Sequence, residues 1–256
     1  MPSSGAQAPS RAAVACQGCR DGAGFDLPLA MAFQPIVGGA SGGVFAFEAL
    51  VRGAGGEGAA SVLGAVDAAN LYAFDQTCRV TAIEAAARLG LPETGALLSI
   101  NFLPNAVYRP EACIRATLRA AERTGFPVSS LMFEVTEAER VDDPAHLRHI
   151  LHSYKQMGFT VAIDDFGAGY SGLNLLADFQ PDLVKLDMGL VRGIEASKAR
   201  RAIVGGFVRI CADLGVEVVA EGVETEAEHR ALRDLGVGMF QGFLFGRPAF
   251  MALPAV

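Results

Sequence analysis

Acidic and amide side chains recur within or just after apolar, β-branched runs along this chain. The most concentrated example is VAIDDFGAGYSGL, residues 161–173, in which Asp164 and Asp165 are adjacent and a glycine-rich segment follows. Neighbouring side chains of a strand point to opposite faces, so both carboxylates can reach one site only if the backbone turns there, and glycines permit such a turn. Polar residues with a similar placement are Glu48, Arg52, Asn101, Glu134, Glu137, Lys185, Glu221 and Gln241.

These residue types favour divalent cation chemistry. Carboxylates that met at one place would repel one another unless cations lay between them, and carboxylate and amide oxygens are ligands that Mg²⁺ and Mn²⁺ prefer. Two ions about 3.5–4 Å apart can hold an attacking water and a leaving phosphate oxygen. A single strand-end acid is usually a helix cap or a surface charge, and Lys185 could be a structural ion-pair partner. The recurrence on successive runs favours a shared site.

Eight β-like runs follow the first 25 residues, and helical patterns separate them from the second run onward. The runs are residues 31–37, 44–52, 96–102, 131–137, 160–166, 182–188, 217–224 and 239–245. Strands that alternate with helices predict a largely parallel sheet, and eight such units predict a closed (β/α)₈ barrel, an α/β fold of the TIM type. GGASGG between the first two runs indicates a hairpin, so one strand is expected to be antiparallel.

The barrel prediction gives the polar residues a common location. The carboxyl ends of barrel strands share one rim, where barrel enzymes place their active sites. An open doubly wound sheet is the alternative fold, but the glycine-rich phosphate turn expected early in such a chain is absent from the sequence. The sequence also predicts where two helices begin. Pro144 suits a first helical turn, and Thr225 with Glu228 forms a capping box.

The composition excludes several classes of protein. Apolar residues make up 51% of the chain and charged residues 19%, which indicates a globular protein with a large core. The net charge of −7, without a Lys/Arg run, argues against binding to nucleic acid or a membrane surface through bulk electrostatics. No apolar stretch is long enough to span a membrane, and no secretory signal is recognised. Five cysteines do not suggest a disulfide framework, so we expect a cytoplasmic protein.

The chain divides into a flexible N-terminal arm, residues 1–25, and one barrel domain, residues 26–256. The arm contains Cys16 and Cys19 in a C-x-x-C arrangement. A structural zinc site needs about four ligands, and the arm offers no second pair. A redox role, a metal site shared across a dimer and an ordinary pair of cysteines all remain open.

Seven motifs, in order, resemble the EAL-domain cyclic di-GMP phosphodiesterases. They are FEALVR (47–52), SIN (99–101), FEVTE (133–137), AIDDFGAGYSGL (162–173), VKLD (184–187), AEGVET (220–225) and QGFLFGRP (241–248). The resemblance covers about residues 30–250 and implies a (β/α)₈ barrel with one antiparallel strand. It also implies metal-dependent hydrolysis of cyclic di-GMP to linear 5′-pGpG, which would lower the level of this bacterial second messenger.

The resemblance also implies roles for individual residues. Glu48, Asn101, Glu134 and Asp164 would bind a first metal ion, and Asp164, Asp165 and Glu221 a second. Glu48, Lys185 and Glu221 are the residues expected to act in catalysis, with Glu221 as a base for the attacking water and Lys185 in contact with that water. Gln34, Arg52 and Gln241 would bind the substrate, Arg52 through a phosphate. Glu137 would hold the loop that follows Asp165, a segment that in this family often takes part in dimer contacts.

Further expectations concern the metal, the oligomer and the competing functions. The cofactors are expected to be two Mg²⁺ or Mn²⁺ ions, with Ca²⁺ inhibitory, and the protein is expected to form a homodimer. The main alternative to an active phosphodiesterase is a catalytically silent cyclic di-GMP receptor or interaction module. A metal-dependent barrel enzyme acting on another phosphoester is a further alternative. No chemical position departs from the family pattern, which favours activity.

Overall fold

The protein forms a closed barrel of parallel strands in which the first strand runs antiparallel to its neighbours. The structure, a computed structural model, describes residues 25–38, 43–137, 143–169 and 172–256. The strands are β1 (Leu29–Gly38), β2 (Val44–Gly53), β3 (Leu97–Asn101), β4 (Leu131–Thr136), β5 (Thr160–Phe166), β6 (Leu183–Leu186), β7 (Glu217–Ala220), β8 (Met239–Gln241) and β9 (Ala249–Phe250). This architecture confirms the (β/α)₈ prediction.

Strand pairing closes the sheet into a ring. Strands β2 to β8 pair in sequence order and in parallel, and β1 completes the ring by pairing antiparallel with both β2 and β8. In the β1–β2 hairpin Leu29 lies opposite Gly53 and Gln34 lies opposite Glu48. The short strand β9 adds to β1 opposite Ala32 and Phe33. The hairpin and the single antiparallel strand therefore agree with the prediction from GGASGG.

Helices cover the outside of the barrel. They are α1 (Ala59–Leu63), α2 (Leu71–Arg88), α3 (Pro110–Cys113), α4 (Arg115–Thr124), α5 (Pro144–Gln156), α6 (Gly172–Asp178), α7 (Met188–Val191), α8 (Lys198–Leu214) and α9 (Glu226–Asp234). Short 3₁₀ helices lie at Leu91–Thr94, Pro104–Ala106, Val128–Ser130 and Ile194–Ala196. Outward-facing strand residues and the inner faces of the helices form the main hydrophobic core. Thr225 and Glu228 form the predicted capping box of α9.

The inside of the barrel is layered. A small apolar cluster lies within it, formed by Ile36, Ala46, Met132, Ala162, Leu183, Val219 and Met239. Side chains two positions apart on a strand share a face, so the next inward residue of each strand towards the rim lies above this cluster. Those next residues are Gln34, Glu48, Glu134, Asp164, Lys185, Glu221 and Gln241. The fold therefore places an apolar floor beneath a layer of polar side chains.

The last two parallel strands are shorter than the sequence indicates. Strand β7 ends at Ala220, four residues before the end of the predicted run, and β8 ends at Gln241, although the apolar residues 243–245 follow it. Beyond these ends the two chain segments approach closely: a Cβ at Gly242 would lie 2.0 Å from the carbonyl oxygen of Val223, and Val223 N donates to the carbonyl oxygen of Gln241 at 3.0 Å. The predicted arm, apart from Phe25, and its Cys16 and Cys19 lie outside the described residues. Within the described parts of the chain, none of the helices combines the length and the hydropathy that a membrane crossing needs.

Candidate active site

Lys185 lies at the centre of the polar layer. Its side chain is 1% exposed, and it lies within ion-pair distance of four carboxylates. Lys185 Nζ is 3.2 Å from Glu48 Oε2, 2.9 Å from Glu134 Oε2, 3.0 Å from Asp164 Oδ1 and 2.6 Å from Glu221 Oε1. These residues come from five strands or strand ends, so the barrel brings together acids that are far apart in the sequence.

Glu48 is held by amide groups as well as by Lys185. Asn101 Nδ2 donates to Glu48 Oε1 at 3.0 Å, and Gln241 Nε2 donates to Glu48 Oε2 at 2.7 Å. Gln241 Nε2 also lies 3.3 Å from Gln34 Oε1, and Gln34 Nε2 donates to the carbonyl oxygen of Gly246 at 3.1 Å. Asn101 and Gln241 therefore contact the Glu48 carboxylate directly, and Gln34 contacts Gln241.

The adjacent aspartates reach the same site because the backbone turns at Asp165. Asp165 has a φ of +54°, a left-handed backbone conformation that residues other than glycine rarely adopt. The β5–β6 pairing also becomes irregular between Ile163 and Phe166. Carboxylate oxygens of Asp164, Asp165 and Glu221 lie within 4.8 Å of one another. The turn is thus made first by the aspartate itself, although Gly167, with a φ of +99°, continues it.

Glu137 lies just beyond β4 and contacts the loop after Asp165. Its Oε2 accepts hydrogen bonds from Gly167 N at 2.7 Å and from Gly169 N at 3.2 Å, and its backbone N–H donates to the carbonyl oxygen of Asp164 at 2.9 Å. Gly169 leaves space for this contact, because a Cβ there would lie 3.0 Å from Glu137 Cδ. Glu137 therefore connects the end of β4 to the loop, in the geometry expected of a loop-holding residue.

The cluster carries more negative charge than its single ammonium group can offset. The pKa of the Glu134 carboxyl is raised to about 8, mainly by burial; Lys185 opposes the shift and the neighbouring carboxylates add to it. Burial also raises the pKa of Glu221 well above its ordinary range and raises that of Asp165, to which the adjacent Asp164 contributes. Burial opposes the charge on Lys185, but the carboxylates outweigh it and raise its pKa.

The donor set fits divalent cations. Oxygens of Glu48, Glu134 and Asp164 lie within 4.8 Å of one another and form a second group beside the one that contains Asp165. Glu134 Oε1 is buried and has no well-formed hydrogen bond within the described residues, which is costly for a carboxylate oxygen unless a cation contacts it. Five carboxylates against one ammonium leave an excess of four negative charges if all are ionised. Oxygen groups of this kind are ligands that hard divalent ions bind.

Arg52 lies on β2, four residues after Glu48. Its Nη1 donates to the carbonyl oxygen of Val51 at 2.7 Å, and its side chain is partly exposed. Arg52 and Asn101 both line a cavity of about 270 Å³ whose walls are mainly apolar, with Phe74 and Leu103 among them. Arg52 therefore shares the wall of this cavity with Asn101, which in turn contacts Glu48.

Asp75 and Arg79 are buried polar residues that the sequence did not single out. They lie four residues apart on α2 and form an ion pair, with Asp75 2% and Arg79 0% exposed. Asp75 Oδ1 also accepts a hydrogen bond from Leu103 N at 3.0 Å, two residues beyond Asn101. The sequence does show an acidic and a basic residue four positions apart within an apolar helical stretch, which predicts an ion pair. It does not predict the contact with Leu103.

Comparison with known proteins identifies the family of this chain. The family model described as "EAL domain" matches residues 28–248. A crystal structure of a standalone versatile EAL protein from Vibrio cholerae O395 in its c-di-GMP bound form is 52% identical, with a TM-score of 0.86 over 91% of this chain and 97% of that one. Klebsiella pneumoniae BlrP1 in a calcium and cyclic di-GMP complex is 40% identical, with a TM-score of 0.83 over 90% of this chain and 58% of that one.

A curated relative extends the comparison beyond solved structures. The blue light- and temperature-regulated antirepressor BluF of Escherichia coli K12 is 32% identical over 225 residues, which are 88% of this chain and 55% of BluF. The chain thus spans about half the length of that relative. Because the family match covers most of the sequence and the structure has the same fold as solved EAL proteins, this chain belongs to the EAL domain family.

Proposed function

We propose that this protein is a metal-dependent phosphodiesterase that hydrolyses cyclic di-GMP to linear 5′-pGpG. The observation that carries the proposal is the ring of carboxylates around Lys185, in which the fully buried Glu134 carboxylate has one oxygen with no well-formed hydrogen bond among the described residues. The cyclic di-GMP complexes of the Vibrio cholerae protein and of BlrP1 support the choice of substrate. Hydrolysis by this chain would lower the concentration of the second messenger.

The proposed cation sites use the two groups of oxygen ligands. Glu48, Asn101, Glu134 and Asp164 would hold one ion, and Asp164, Asp165 and Glu221 would hold the other, with Asp164 shared. Bound Mg²⁺ or Mn²⁺ would offset the excess negative charge and polarise the scissile phosphate and the attacking water. BlrP1 has been solved with cyclic di-GMP together with calcium and together with manganese, which supports divalent cations of both sizes at such a site.

The remaining residues position the substrate and move a proton. Arg52, beside the cavity, would bind a phosphate of the substrate through its guanidinium, and Gln34 and Gln241 would contact the substrate from the β1–β8 side. Glu221, as a carboxylate, would accept a proton from the attacking water. Lys185 Nζ, 2.6 Å from Glu221 Oε1, would hold that carboxylate and orient the water.

A catalytically silent receptor is the second candidate, and the similarity to BluF favours it, because that relative is named an antirepressor. Product analysis separates the two functions. Purified protein is incubated with cyclic di-GMP and Mg²⁺ or Mn²⁺, with and without EDTA, and the nucleotides are separated by chromatography. The proposal expects 5′-pGpG to appear only with metal present, whereas binding of cyclic di-GMP without any product would establish the receptor.

We further propose that the protein forms a homodimer through the face that contains the loop after Asp165. A groove of about 700 Å³ adjoins Glu137 and Gly169 in this loop region. Its lining includes Leu173 and Ile203, which are 61% and 56% exposed. A second copy of the chain would cover these apolar side chains. Sedimentation of the wild type and of Ile203→Lys tests this: the variant is expected to be monomeric, and an unchanged sedimentation coefficient would contradict the interface.

A further inference from the structure

The buried ion pair of α2 needs an explanation other than stability. Arg79 is fully buried and contacts Asp75 Oδ2 and, at 3.3 Å, the hydroxyl oxygen of Tyr154. Burial opposes its charge, but Asp75 outweighs this and raises the pKa of the guanidinium. Removing two charges from water is costly, and apolar residues of similar volume often replace such a pair without loss of stability. A second task for the pair would account for its presence.

Asp75 makes one contact that leads to the active site. Its Oδ1 accepts a hydrogen bond from Leu103 N, while Oδ2 faces Arg79. The residue before Leu103, Phe102, donates its N–H to the carbonyl oxygen of Glu134 at 3.0 Å. The segment 101–103 is therefore held on one side by β4 and on the other by α2, immediately after the side chain of Asn101.

Asn101 depends on this segment for its position. It is the last residue of β3, and beyond Phe102 the backbone bends away from the sheet into the 3₁₀ helix Pro104–Ala106. Its side chain must nevertheless lie 3.0 Å from Glu48 Oε1. A shift of Leu103 would move the Asn101 backbone and with it the amide oxygen of the side chain.

We propose that Asp75 is a positioning residue, which fixes the 101–103 segment and so keeps Asn101 in place as a ligand of the first metal ion. Arg79 holds the Asp75 carboxylate in the orientation that leaves Oδ1 towards Leu103 N. The inference rests on the proposed function in one respect, the assignment of Asn101 as a ligand. It adds a residue that touches neither substrate nor metal and acts through the backbone of a neighbouring loop.

Two substitutions distinguish positioning from a structural role. Asp75→Asn keeps an oxygen that can accept from Leu103 N but leaves Arg79 without an ionised partner. The double variant Asp75→Leu/Arg79→Met removes both charges together but leaves Leu103 N without an acceptor. Positioning predicts that the double variant unfolds near the wild-type temperature but binds Mn²⁺ about 10-fold more weakly. Asp75→Asn should bind Mn²⁺ within about threefold of the wild type even where it is less stable.

Calorimetric titration of metal-free protein with Mn²⁺, alongside thermal unfolding, gives both quantities without requiring turnover. Tyr154→Phe, which removes only the hydroxyl that contacts Arg79, is the matched control and should bind Mn²⁺ like the wild type. The inference is overturned if the double variant binds Mn²⁺ as tightly as the wild type, or if it does not fold, since the pair would then be structural. Wild-type protein that fails to bind Mn²⁺ would overturn the metal sites as well. Wild-type protein that binds Mn²⁺ but hydrolyses nothing would refute only the proposed activity.

Discussion

Loss of the Glu137 carboxylate should loosen the loop after Asp165 but leave binding of the first metal ion intact. Glu137→Ala removes two hydrogen bonds to the loop, from Gly167 N at 2.7 Å and Gly169 N at 3.2 Å. A hydrogen bond to a charged group contributes roughly 1.5–3 kcal/mol, less where water can replace it, so about 3 kcal/mol is a reasonable total for both. Asp165, with a φ of +54°, is in a strained conformation that persists only while its surroundings enforce it. The loop is therefore expected to relax and move the Asp165 carboxylate.

The expected effect on turnover follows from that free energy. About 3 kcal/mol corresponds to roughly a 10²-fold change in population, and displacing a catalytic group by about 1 Å costs a similar factor in rate. Glu137→Ala should therefore lose about 10²-fold in turnover of cyclic di-GMP, and excess Mg²⁺ should rescue it only in part. The first metal ion should remain bound, since Glu48, Glu134 and Asp164 are untouched, and affinity for cyclic di-GMP in Ca²⁺ should be retained.

The assay pairs turnover with calorimetry of metal binding, and Glu134→Ala provides the contrast. Glu134 is fully buried and contacts Lys185, so its removal should weaken metal binding itself. Glu137→Gln is the matched control, because its amide oxygen can still accept from Gly167 N, and it should lose less turnover than Glu137→Ala. Were Glu137→Ala to lose the first metal as completely as Glu134→Ala, the loop-holding role would be wrong and Glu137 would be a ligand.

Three further outcomes are expected. Glu48→Ala should abolish hydrolysis, because Glu48 connects Asn101, Lys185 and Gln241; near-wild-type turnover at modest Mg²⁺ would contradict its assignment as a ligand. Calcium should bind without supporting turnover, since it prefers longer bonds and looser geometry than Mg²⁺; comparable rates in the two ions would refute the compact two-ion site. In metal-free protein, burial raises the Glu134 pKa from 4.5 to about 8, so this group's contribution to stability should fall as pH rises from about 4.5 to about 8. Thermal unfolding in EDTA should show a shallower decline over this range for Glu134→Gln, and identical profiles would contradict the shift.

Strand periodicity was sufficient to predict which polar residues meet. Glu48, Glu134, Asp164 and Lys185 each lie two positions beyond an inward apolar residue of their strand. Because successive side chains alternate, this parity is a local property that the sequence displays directly. The number of alternating units was likewise enough to predict the closed barrel.

Features that depend on contacts between distant segments were not predictable. Strand β8 ends where Gly242 approaches Val223, and the apolar residues that follow gave no sign of it. Asp165 adopts a left-handed conformation just before the loop that Glu137 contacts, whereas the sequence suggested that the glycines alone would make the turn. The link from Asp75 to Leu103 joins a helix to a loop, and no periodicity encodes such a contact.

The reversed direction of β1 determines where the chain enters and leaves the barrel. Leu29, the first residue of β1, lies opposite the last residue of β2, so the barrel begins at the carboxylate rim and not at the opposite end. Strand β9 returns to pair with Ala32 and Phe33, between that end of β1 and Gln34. The chain that precedes Leu29 therefore meets the barrel at the carboxylate rim. Movement at that point would act on the rim that carries the carboxylates, without having to pass through the packed interior of the barrel.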